Sequence, residues 1–253
     1  MRDDLGDRMK HHYESRAKSF LPCRTYTVLR ADGKAFHTYT RGLKRPFDEE
    51  LMHAMNSTLK YMCENIEGAK LGYVQSDEIS ILLTDLDTIK TQGWFDGEVQ
   101  KIASVAASMA TAGFNEARTF GNHPALFDCR VFTIPDRTEV LNYFIWRQND
   151  CTRNSIQMAA QSVYSHKQLH GVGCSDMQEL LFQKGINWND YPEDFKRGRA
   201  CTRDLVVSDI EFVDKRSGET KTIKDVERHC WSVATPPIFT KERDWLDKYV
   251  PSF

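Results

Sequence analysis

The segment at residues 72–83, GYVQSDEISILL, constrains the fold more than any other part of the chain. Apolar and polar residues alternate on both sides of its centre, which is the period of half-buried β-strands. The centre, Gln75-Ser76-Asp77-Glu78, predicts a tight turn because Ser and Asp are common turn residues. A turn between two paired strands holds its side chains at the sheet edge and not in the core. The segment therefore predicts two antiparallel strands joined by an acidic turn.

Asp77 and Glu78 place two neighbouring carboxylates at this turn, and these repel each other unless a cation lies between them. Mg²⁺ is one such cation, since it takes hard oxygen ligands at about 2.0–2.1 Å and usually shares them with substrate phosphates. A solvated acidic turn is the alternative, and the segment alone leaves both interpretations open.

A second strand-like run, TYTVLR at residues 25–30, leads into Asp32 and Gly33. A glycine beside an acid lets the backbone approach a ligand closely. If this strand neighbours the hairpin in one sheet, Asp32 and Asp77 meet at its edge. They then form the paired carboxylates of a two-metal phosphoryl or nucleotidyl transfer site. An ordinary Asp-Gly turn is the alternative.

The order of the predicted elements gives the fold class. After the first strand, Asp48 predicts the N-cap of a helix, and an apolar stripe at helical spacing continues it: Leu51, Met52, Met55, Leu59 and Met62. The hairpin follows, then a loop at residues 85–97, a helix at residues 99–114 and a strand at residues 127–135. This is the ferredoxin-like order of strands and helices. We expect an α+β fold with an antiparallel sheet and helices on one face.

Four segments between residues 28 and 151 together resemble the tRNA(His) guanylyltransferase family and its bacterial and archaeal relatives: VLRADGKAFH, GYVQSDEISILL, FDCRVFTIP and YFIWRQNDC. Their joint occurrence in this order is specific, whereas no single one is. The resemblance implies a ferredoxin-like palm domain and a nucleotidyltransferase that adds nucleotides to the 5′ end of tRNA, a 3′-to-5′ polymerase. We expect the palm at residues 1–135 and a helical and hairpin portion at residues 136–253, which packs on the palm and contributes tRNA contacts.

The same resemblance implies the active site. Asp32, Asp77 and Glu78 are the predicted catalytic residues, and two Mg²⁺ ions are held by Asp32, Asp77 and the Gly33 carbonyl, with Glu78 close enough to help. Backbone amides of residues 33–37 form a phosphate cradle. The predicted nucleotide-binding residues are Asp32, Gly33, Lys34, Ala35, Phe36, His37, Ser76 and Asp77.

The resemblance further implies that ATP or GTP activates the tRNA 5′ end, helped by a basic residue before a proline. Arg45 is the matching position, and Lys44 is its neighbouring substitute. A solvated pair of cations is the alternative.

Residues 152–155, Thr-Arg-Asn-Ser, depart from the His-Ile-Asn-Asn of the eukaryotic enzymes, and only Asn154 matches. This departure favours template-dependent repair of 5′-truncated tRNAs, with the opposite strand as template. Addition of an extra 5′ guanosine to tRNA(His) is the alternative. The predicted tRNA-binding residues are Arg147, Asn154, Lys196, Arg197 and Arg199.

Part of this tRNA surface has a structural alternative. A helix is predicted at residues 137–149, on which Arg147 either binds RNA or braces Asp150. Basic and aromatic residues alternate at residues 185–203, a pattern typical of RNA contacts but also of a solvated loop over a small core. Met177 stands where the family usually has a lysine, and Lys184 or Lys196 is the expected replacement cation.

Two other functional classes are open to a sequence of this kind. A nucleotide cyclase can share a palm with metal acids at a hairpin turn, but its typical Gly-Gly-Asp-Glu-Phe turn is absent here. A non-catalytic tRNA-binding module would bind tRNA without adding nucleotides. A cyclic product made without RNA, or indifference to Asp77→Ala, would identify these classes.

Composition sets the remaining bounds. A chain of 253 residues with 40% hydrophobic residues can bury a substantial core, and a net charge of −2 gives no global attraction to RNA. Seven cysteines without a C-x-x-C pair suit a reducing cytosol, and no run of about 18 apolar residues predicts a membrane span. We expect a cytoplasmic protein without membrane contacts, and the family resemblance suggests a homotetramer. A second hairpin is predicted from strands at residues 205–213 and 221–226 around a turn at residues 214–218.

Overall fold

The structure is a computed structural model that describes residues 3–213 and 218–252. Its strands are β1 Tyr26–Gly33, β2 Ala69–Gln75, β3 Glu78–Leu83, β4 Phe127–Ile134, β5 Arg199–Val213 and β6 Thr220–Ala234. Its α-helices are α1 Asp4–His12, α2 Phe36–Tyr39, α3 Glu49–Asn65, α4 Val99–Ala117, α5 Arg137–Gln161, α6 His166–Leu169, α7 Cys174–Phe182, α8 Glu193–Arg197 and α9 Arg243–Asp247. No helix within these ranges combines the length and the apolar character that a membrane crossing needs.

The strands form one antiparallel sheet in the order β4-β1-β3-β2-β5-β6. Its first four strands have the ferredoxin-like order, so the predicted fold class is confirmed. The predicted turn is also confirmed, because Gln75 pairs with Glu78 and leaves only Ser76 and Asp77 between the strands. β1 runs on through Gly33, so Asp32 and Gly33 belong to the strand and do not form the Asp-Gly turn that was the alternative.

Both faces of the sheet are covered, which corrects the prediction of half-buried strands. On one face α3 and α4 pack Leu59 and Phe114 against Ile81. On the other face α5 and the C-terminal segment pack Phe144 and Phe239 into a second cluster with strand residues. β2 and β3 are therefore buried almost throughout. Apolar cover on both sides fixes the strand ends that carry the acidic turn.

Helix α3 begins where the sequence predicts it. The Asp48 carboxylate accepts a hydrogen bond from the Leu51 amide at 2.9 Å, which satisfies one of the free N–H groups of the first turn. Met55, Leu59 and Met62 of the predicted stripe are fully buried. The stripe is core, as expected.

Helix α5 extends twelve residues beyond the predicted end at residue 149. Asp136 caps its start by accepting from the Thr138 amide at 2.8 Å. Its last turns bury Ile156 and Ala160 against Leu181 of α7 in a third apolar cluster.

The predicted C-terminal hairpin is present as β5 and β6, which pair from Ala200 with Ala234 to Val213 with Thr220. Residues 214–217 of its predicted turn lie outside the described residues. β5 also pairs with β2, so the sheet continues across the predicted domain boundary at residue 135. The division into two portions stays a prediction.

Candidate active site

Three carboxylates and an amide form one row across the end of the sheet. Asp32 pairs directly with Glu78 on one side and with Asp128 on the other, and Glu78 pairs with Gln75. Directly opposed residues of antiparallel strands point to the same face. This face is the one covered by α5, and the row lies beyond the apolar cluster there. The sheet register thus brings Asp32 beside the acidic turn.

Asp77 is held against β1 by the backbone. The Gly33 amide donates to the Asp77 carbonyl at 3.1 Å, which ties the turn to the end of β1. Ser76 has a φ of 46°, the left-handed conformation that lets two residues close the turn. The structure therefore brings Asp32, Gly33 and Asp77 together, as the sequence predicts.

Electrostatics make this edge receptive to a cation. Burial raises the pKa of Asp77, and the charge of Asp32 raises it further, against the lowering effect of local hydrogen bonds. Two carboxylates and a carbonyl are the hard oxygen donors that Mg²⁺ prefers, with phosphates and waters completing its shell. No cluster of three or more His, Cys, Asp or Glu ligands occurs in the described ranges. The site thus fits an ion whose remaining ligands come from a substrate and from water, and it does not fit an ion that the protein alone encloses.

Glu78 is engaged by an arginine. Its Oε1 lies 2.7 Å from Arg147 Nε, and its Oε2 accepts from Arg147 Nη2 at 2.8 Å. Arg147 Nη2 also donates to Asp150 at 3.0 Å, and the side chain is only 5% exposed. Burial raises the pKa of Glu78, while the charges of Arg147 and Arg30 oppose that rise. The structural alternative for Arg147, a buried brace, is the one observed. A direct tRNA contact by Arg147 and direct metal assistance by Glu78 find no support in this geometry.

The predicted phosphate cradle is partly occupied by the fold. The amides of Gly33 and Lys34 already donate to the carbonyls of Asp77 and Leu126, the second at 2.8 Å. These two amides are therefore not free to bind phosphate, and the prediction that they belong to the cradle is wrong. Phe36 and His37 open the short helix α2, and the first N–H groups of a helix lack an acceptor within it. The amides at residues 35–37 remain the candidates.

Gly33 is required by the packing of Phe36. A Cβ at position 33 would lie 2.2 Å from the Phe36 ring, which is itself buried against Phe114 and Phe127. We expect Gly33→Ala to lower the free energy of unfolding by about 1–3 kcal/mol and to weaken nucleotide binding, because the ring and the α2 backbone must shift. Denaturant unfolding and nucleotide titration measure both effects. Gly173→Ala is the control, since its Cβ meets nothing closer than 3.8 Å. Equal losses in the two variants would contradict this explanation.

A cleft of ≈ 540 Å³ opens in front of the carboxylates, with Asp32, Ser76 and Asp77 in its wall. A second pocket of ≈ 170 Å³ holds Lys44 and Arg45 and shares His37 with the cleft. Lys44 and Arg45 are exposed. The structure thus places the predicted activation residues beside the catalytic edge, and their role stays a prediction.

The predicted tRNA surface at residues 185–203 needs correction. Lys196 is 2% exposed and donates to the Asn189 carbonyl at 2.7 Å, and Arg199 is 5% exposed and donates to Asn56 at 2.7 Å. Arg197 is half-buried and pairs with Glu193. Buried cations with internal partners are not placed to contact an RNA backbone.

The aromatic residues of this segment belong to the fold as well. Phe195 stacks on Phe47 with ring centroids 4.9 Å apart, and Tyr191 meets the same ring at 5.1 Å. Met177 is buried in the third apolar cluster, so a core residue fills the position of the family lysine. Because Lys196 is buried, Lys184, which is exposed, is the remaining candidate for the replacement cation.

Several residues at the site were not assigned a role from the sequence. Gln75 lines the cleft together with Asp150 and Asn154. Arg30 and Arg130 are directly opposed, two residues from Asp32 and Asp128 in their strands, and Arg30 Nε lies 3.9 Å from Glu78. On each of these two strands an arginine and an aspartate stand two residues apart. This spacing was the signal in the sequence that the arginines and aspartates share one face of the sheet.

Comparison with known proteins agrees with the geometry. The family model described as tRNAHis guanylyltransferase, Thg1, matches residues 6–135. A bacterial tRNA(HIS) guanylyltransferase (Thg1)-like protein solved in complex with ATP is 44% identical, with a TM-score of 0.82 over 98% of this chain and 99% of that chain. A GTP complex of a protein with the same description gives a TM-score of 0.81 at 43% identity, over 99% of this chain and 100% of the other. The tRNA(His) guanylyltransferase of Saccharomyces cerevisiae is 30% identical over 74% of this chain and 86% of its own length.

Proposed function

The chain belongs to the tRNA(His) guanylyltransferase family, and we propose that it is a 3′-to-5′ polymerase that repairs the 5′ ends of truncated tRNAs on the opposite strand as template. It is a nucleotidyltransferase. Its family membership argues against the two other classes considered from the sequence, a nucleotide cyclase and a non-catalytic tRNA-binding module. The pairing of Asp32 with the Asp77 turn at the mouth of a cleft carries the proposal.

The residues have the following proposed roles. Asp32, Asp77 and the Gly33 carbonyl would hold two Mg²⁺ ions, which would supply activation of the attacking hydroxyl and stabilisation of the leaving group. The amides at residues 35–37, with His37 and Ser76, orient the triphosphate of ATP or GTP. Arg45 and Lys44 bind phosphate during activation of the 5′ end. The Arg147 ion pair fixes Glu78 beside Asp32 and so holds the row of acids in place.

The chemistry runs in two steps. The 5′ phosphate of a monophosphorylated tRNA first attacks the α-phosphate of ATP or GTP, which releases pyrophosphate and leaves a nucleotidylylated 5′ end. The 3′-hydroxyl of an incoming nucleoside triphosphate then attacks the 5′ phosphate of the tRNA, and AMP or GMP leaves. A 5′ end that is already triphosphorylated needs no activation, and pyrophosphate leaves from it. The new phosphodiester bond lies at the 5′ end of the tRNA.

The residues in place of His-Ile-Asn-Asn favour templated addition. Thr152 donates to the Gln148 carbonyl at 3.2 Å and to the Lys196 carbonyl at 3.1 Å, and Ser155 donates to the Thr152 carbonyl at 2.7 Å. These two side chains serve the fold, and only Asn154 of the four lines the cleft. Base pairing then selects the nucleotide without a protein contact specific to guanine.

We expect tRNAs that lack their first nucleotide to be extended with the complementary base, whatever their anticodon. A matched nucleoside triphosphate should react at least ~10-fold faster than a mismatched one, which requires only about 1.4 kcal/mol in the transition state. Single-turnover extension of several truncated tRNAs, with each of the four triphosphates, measures this preference. Equal rates for matched and mismatched nucleotides, or dependence on the tRNA(His) anticodon, would favour the extra-guanosine alternative instead.

The assembly and location are also proposals. A homotetramer is proposed from the family, and the exposed Leu205, Val207 and Val213 of β5 offer apolar surface for contacts between copies. A cytoplasmic location is proposed from the tRNA substrate.

A further inference from the structure

A small cavity lies at the end of the sheet that is opposite the row of carboxylates. Thr27 of β1 and Leu83 of β3 line it, and these two residues pair directly with each other. Asp32 pairs with Glu78 at the other end of the same two strands, about 17 Å further along β1 for an extended chain. The cavity is therefore separate from the proposed Mg²⁺ site.

Three segments of the chain that precede or follow a strand or helix meet around this cavity: residues 21–25, 84–85 and 93–97. The Leu21 amide donates a hydrogen bond to the Gly97 carbonyl at 2.9 Å. The Arg24 amide donates to Asp85 Oδ2 at 2.8 Å. Backbone contacts thus hold the walls of the cavity together.

Two buried oxygen atoms in the cavity wall have no hydrogen-bond partner among the described residues. Thr84 is 4% exposed and Asp85 is 6% exposed, and the atoms without a partner are Thr84 Oγ1 and Asp85 Oδ1. Both residues line the cavity. A buried polar atom without a partner is disfavoured unless a water or a ligand satisfies it. These two oxygens therefore indicate that the cavity takes an occupant.

The charge of the cavity wall favours a cation as this occupant. Glu67, Asp85 and Asp96 line it, and none of its lining residues in the described ranges is a lysine, an arginine or a histidine. The neutral Arg24 amide is the one partner of the Asp85 carboxylate within those ranges, and the Arg24 guanidinium is directed at the Thr88 carbonyl, 3.5 Å from Nη1. An aspartate is almost never fully buried without a partner for its charge. Water would satisfy the hydrogen bonding but would leave the charge uncompensated, whereas a cation does both.

The size of the cavity and its oxygen donors fit an ion of single charge. The volume is ≈ 30 Å³, which is room for about two particles of the size of water. A dehydrated K⁺ ion is close to a water molecule in size. A divalent ion takes about six or more oxygen ligands, often from several carboxylates. The described residues contain no group of three or more His, Cys, Asp or Glu side chains that could hold a metal ion, so one carboxylate with one hydroxyl suits a monovalent ion better.

We propose that this cavity binds a monovalent alkali cation, K⁺ or Na⁺, through Asp85 Oδ1 and Thr84 Oγ1, with water completing the coordination. The ion joins the start of β1, the end of β3 and the segment before α4, and it stabilises the fold at the end of the sheet away from the catalytic carboxylates. The site does not depend on the proposed function, because no described residue lines both this cavity and the catalytic cleft.

Thermal unfolding of the whole protein in different chloride salts tests the proposal. EDTA removes divalent ions, and the ionic strength is kept constant. The unfolding midpoint should be about 3–6 °C higher in KCl or NaCl than in tetramethylammonium chloride, as expected for a cation at about ten times its Kd and a chain of this length. Tetramethylammonium is the reference because it is too large for the cavity. Asp85→Asn and Thr84→Val should each lose most of this difference.

Asp87→Asn is the matched control, because Asp87 is an exposed acid of the same loop that does not line the cavity, and it should keep the wild-type difference between the salts. A second measurement tests the proposal if Asp85→Asn does not fold. Titration of KCl into the wild-type protein in tetramethylammonium chloride should give a saturable change in the fluorescence of Trp94, which lines the cavity, and Trp94→Phe should remove that signal.

Equal unfolding midpoints of the wild-type protein in all three salts would mean that water fills the cavity, and this result would overturn the proposal. A difference between salts that stays undiminished in Asp85→Asn and Thr84→Val would be a general salt effect and would overturn it as well. Templated addition to tRNA is measured separately, so a protein that extends tRNA but shows no cation preference refutes this inference alone.

Discussion

Replacing Asp32 or Asp77 with Asn should reduce the rate of 5′ nucleotide addition by at least ~10²-fold with the fold intact. Each substitution removes a charged oxygen ligand of the proposed metal pair where β1 and the acidic turn meet, and loss of one preorganised electrostatic contact typically costs about 10²–10³-fold in rate. Single-turnover extension of a truncated tRNA at saturating Mg²⁺ measures the effect.

Asp128→Asn is the matched control, since Asp128 is the direct neighbour of Asp32 in the same row but is exposed. We expect less than about a fivefold change in this variant, an effect below 1 kcal/mol. Comparable losses at Asp128 and Asp32 would show that general negative charge is needed, and not a defined metal pair. Retention of more than a few per cent of the wild-type rate in the Asp32 and Asp77 variants would remove the two-metal assignment.

The stability of the Asp77 variant should change in the opposite direction from its activity. Burial and the charge of Asp32 raise the Asp77 pKa, so the ionised form is less favourable in the folded protein than in the unfolded chain. The folded protein is therefore destabilised by this group above the folded-state pKa, and the penalty is relieved as the pH falls through it. In the absence of Mg²⁺, Asp77→Asn should be at least as stable as wild type near neutral pH. Thermal unfolding measures this alongside the activity.

The sequence predicts the sheet and the acidic turn because both depend on local signals. Alternation on either side of the turn defines β2 and β3, and Asp48 marks the start of α3 through a contact only three residues away. The position of Asp32 beside Asp77 follows once β1 is paired with β3. These parts of the site are encoded within short segments.

The contacts that the sequence does not predict join distant parts of the chain. Glu78 and Arg147 are 69 residues apart, and Arg199 and Asn56 are 143 residues apart. A basic segment has the same composition whether its cations face solvent or internal acceptors, so the burial of Lys196 could not be inferred. The second face of the sheet was missed for a related reason, because its cover comes from α5 and the C-terminal segment. Pairing over such separations needs the folded structure.

Replacing Arg147 with Met should lower the free energy of unfolding by about 3–5 kcal/mol. The substitution leaves the Glu78 carboxylate buried without its main partner, and removal of one member of a buried ion pair has this cost. Glu78→Gln in the same chain should recover part of the loss, since a neutral amide replaces the unpaired charge. Urea unfolding of the single and double variants measures the difference. Arg153→Met is the control, because Arg153 is 56% exposed and Asp150 is its one ion-pair partner among the described residues, so its loss should stay below about 1 kcal/mol.

The deficit of Arg147→Met should depend on pH in a defined direction. Burial already raises the Glu78 pKa, and the Arg147 charge opposes that rise, so its removal moves the pKa further upward. A raised folded-state pKa means that the penalty of the buried charge is present at high pH and disappears as the carboxyl group is protonated on acidification. The stability of the variant relative to wild type should therefore improve between about pH 8 and pH 5. The pH dependence should vanish in the Arg147→Met, Glu78→Gln double variant. A constant deficit across this range would show that the loss comes from packing of the arginine side chain and not from the stranded charge of Glu78.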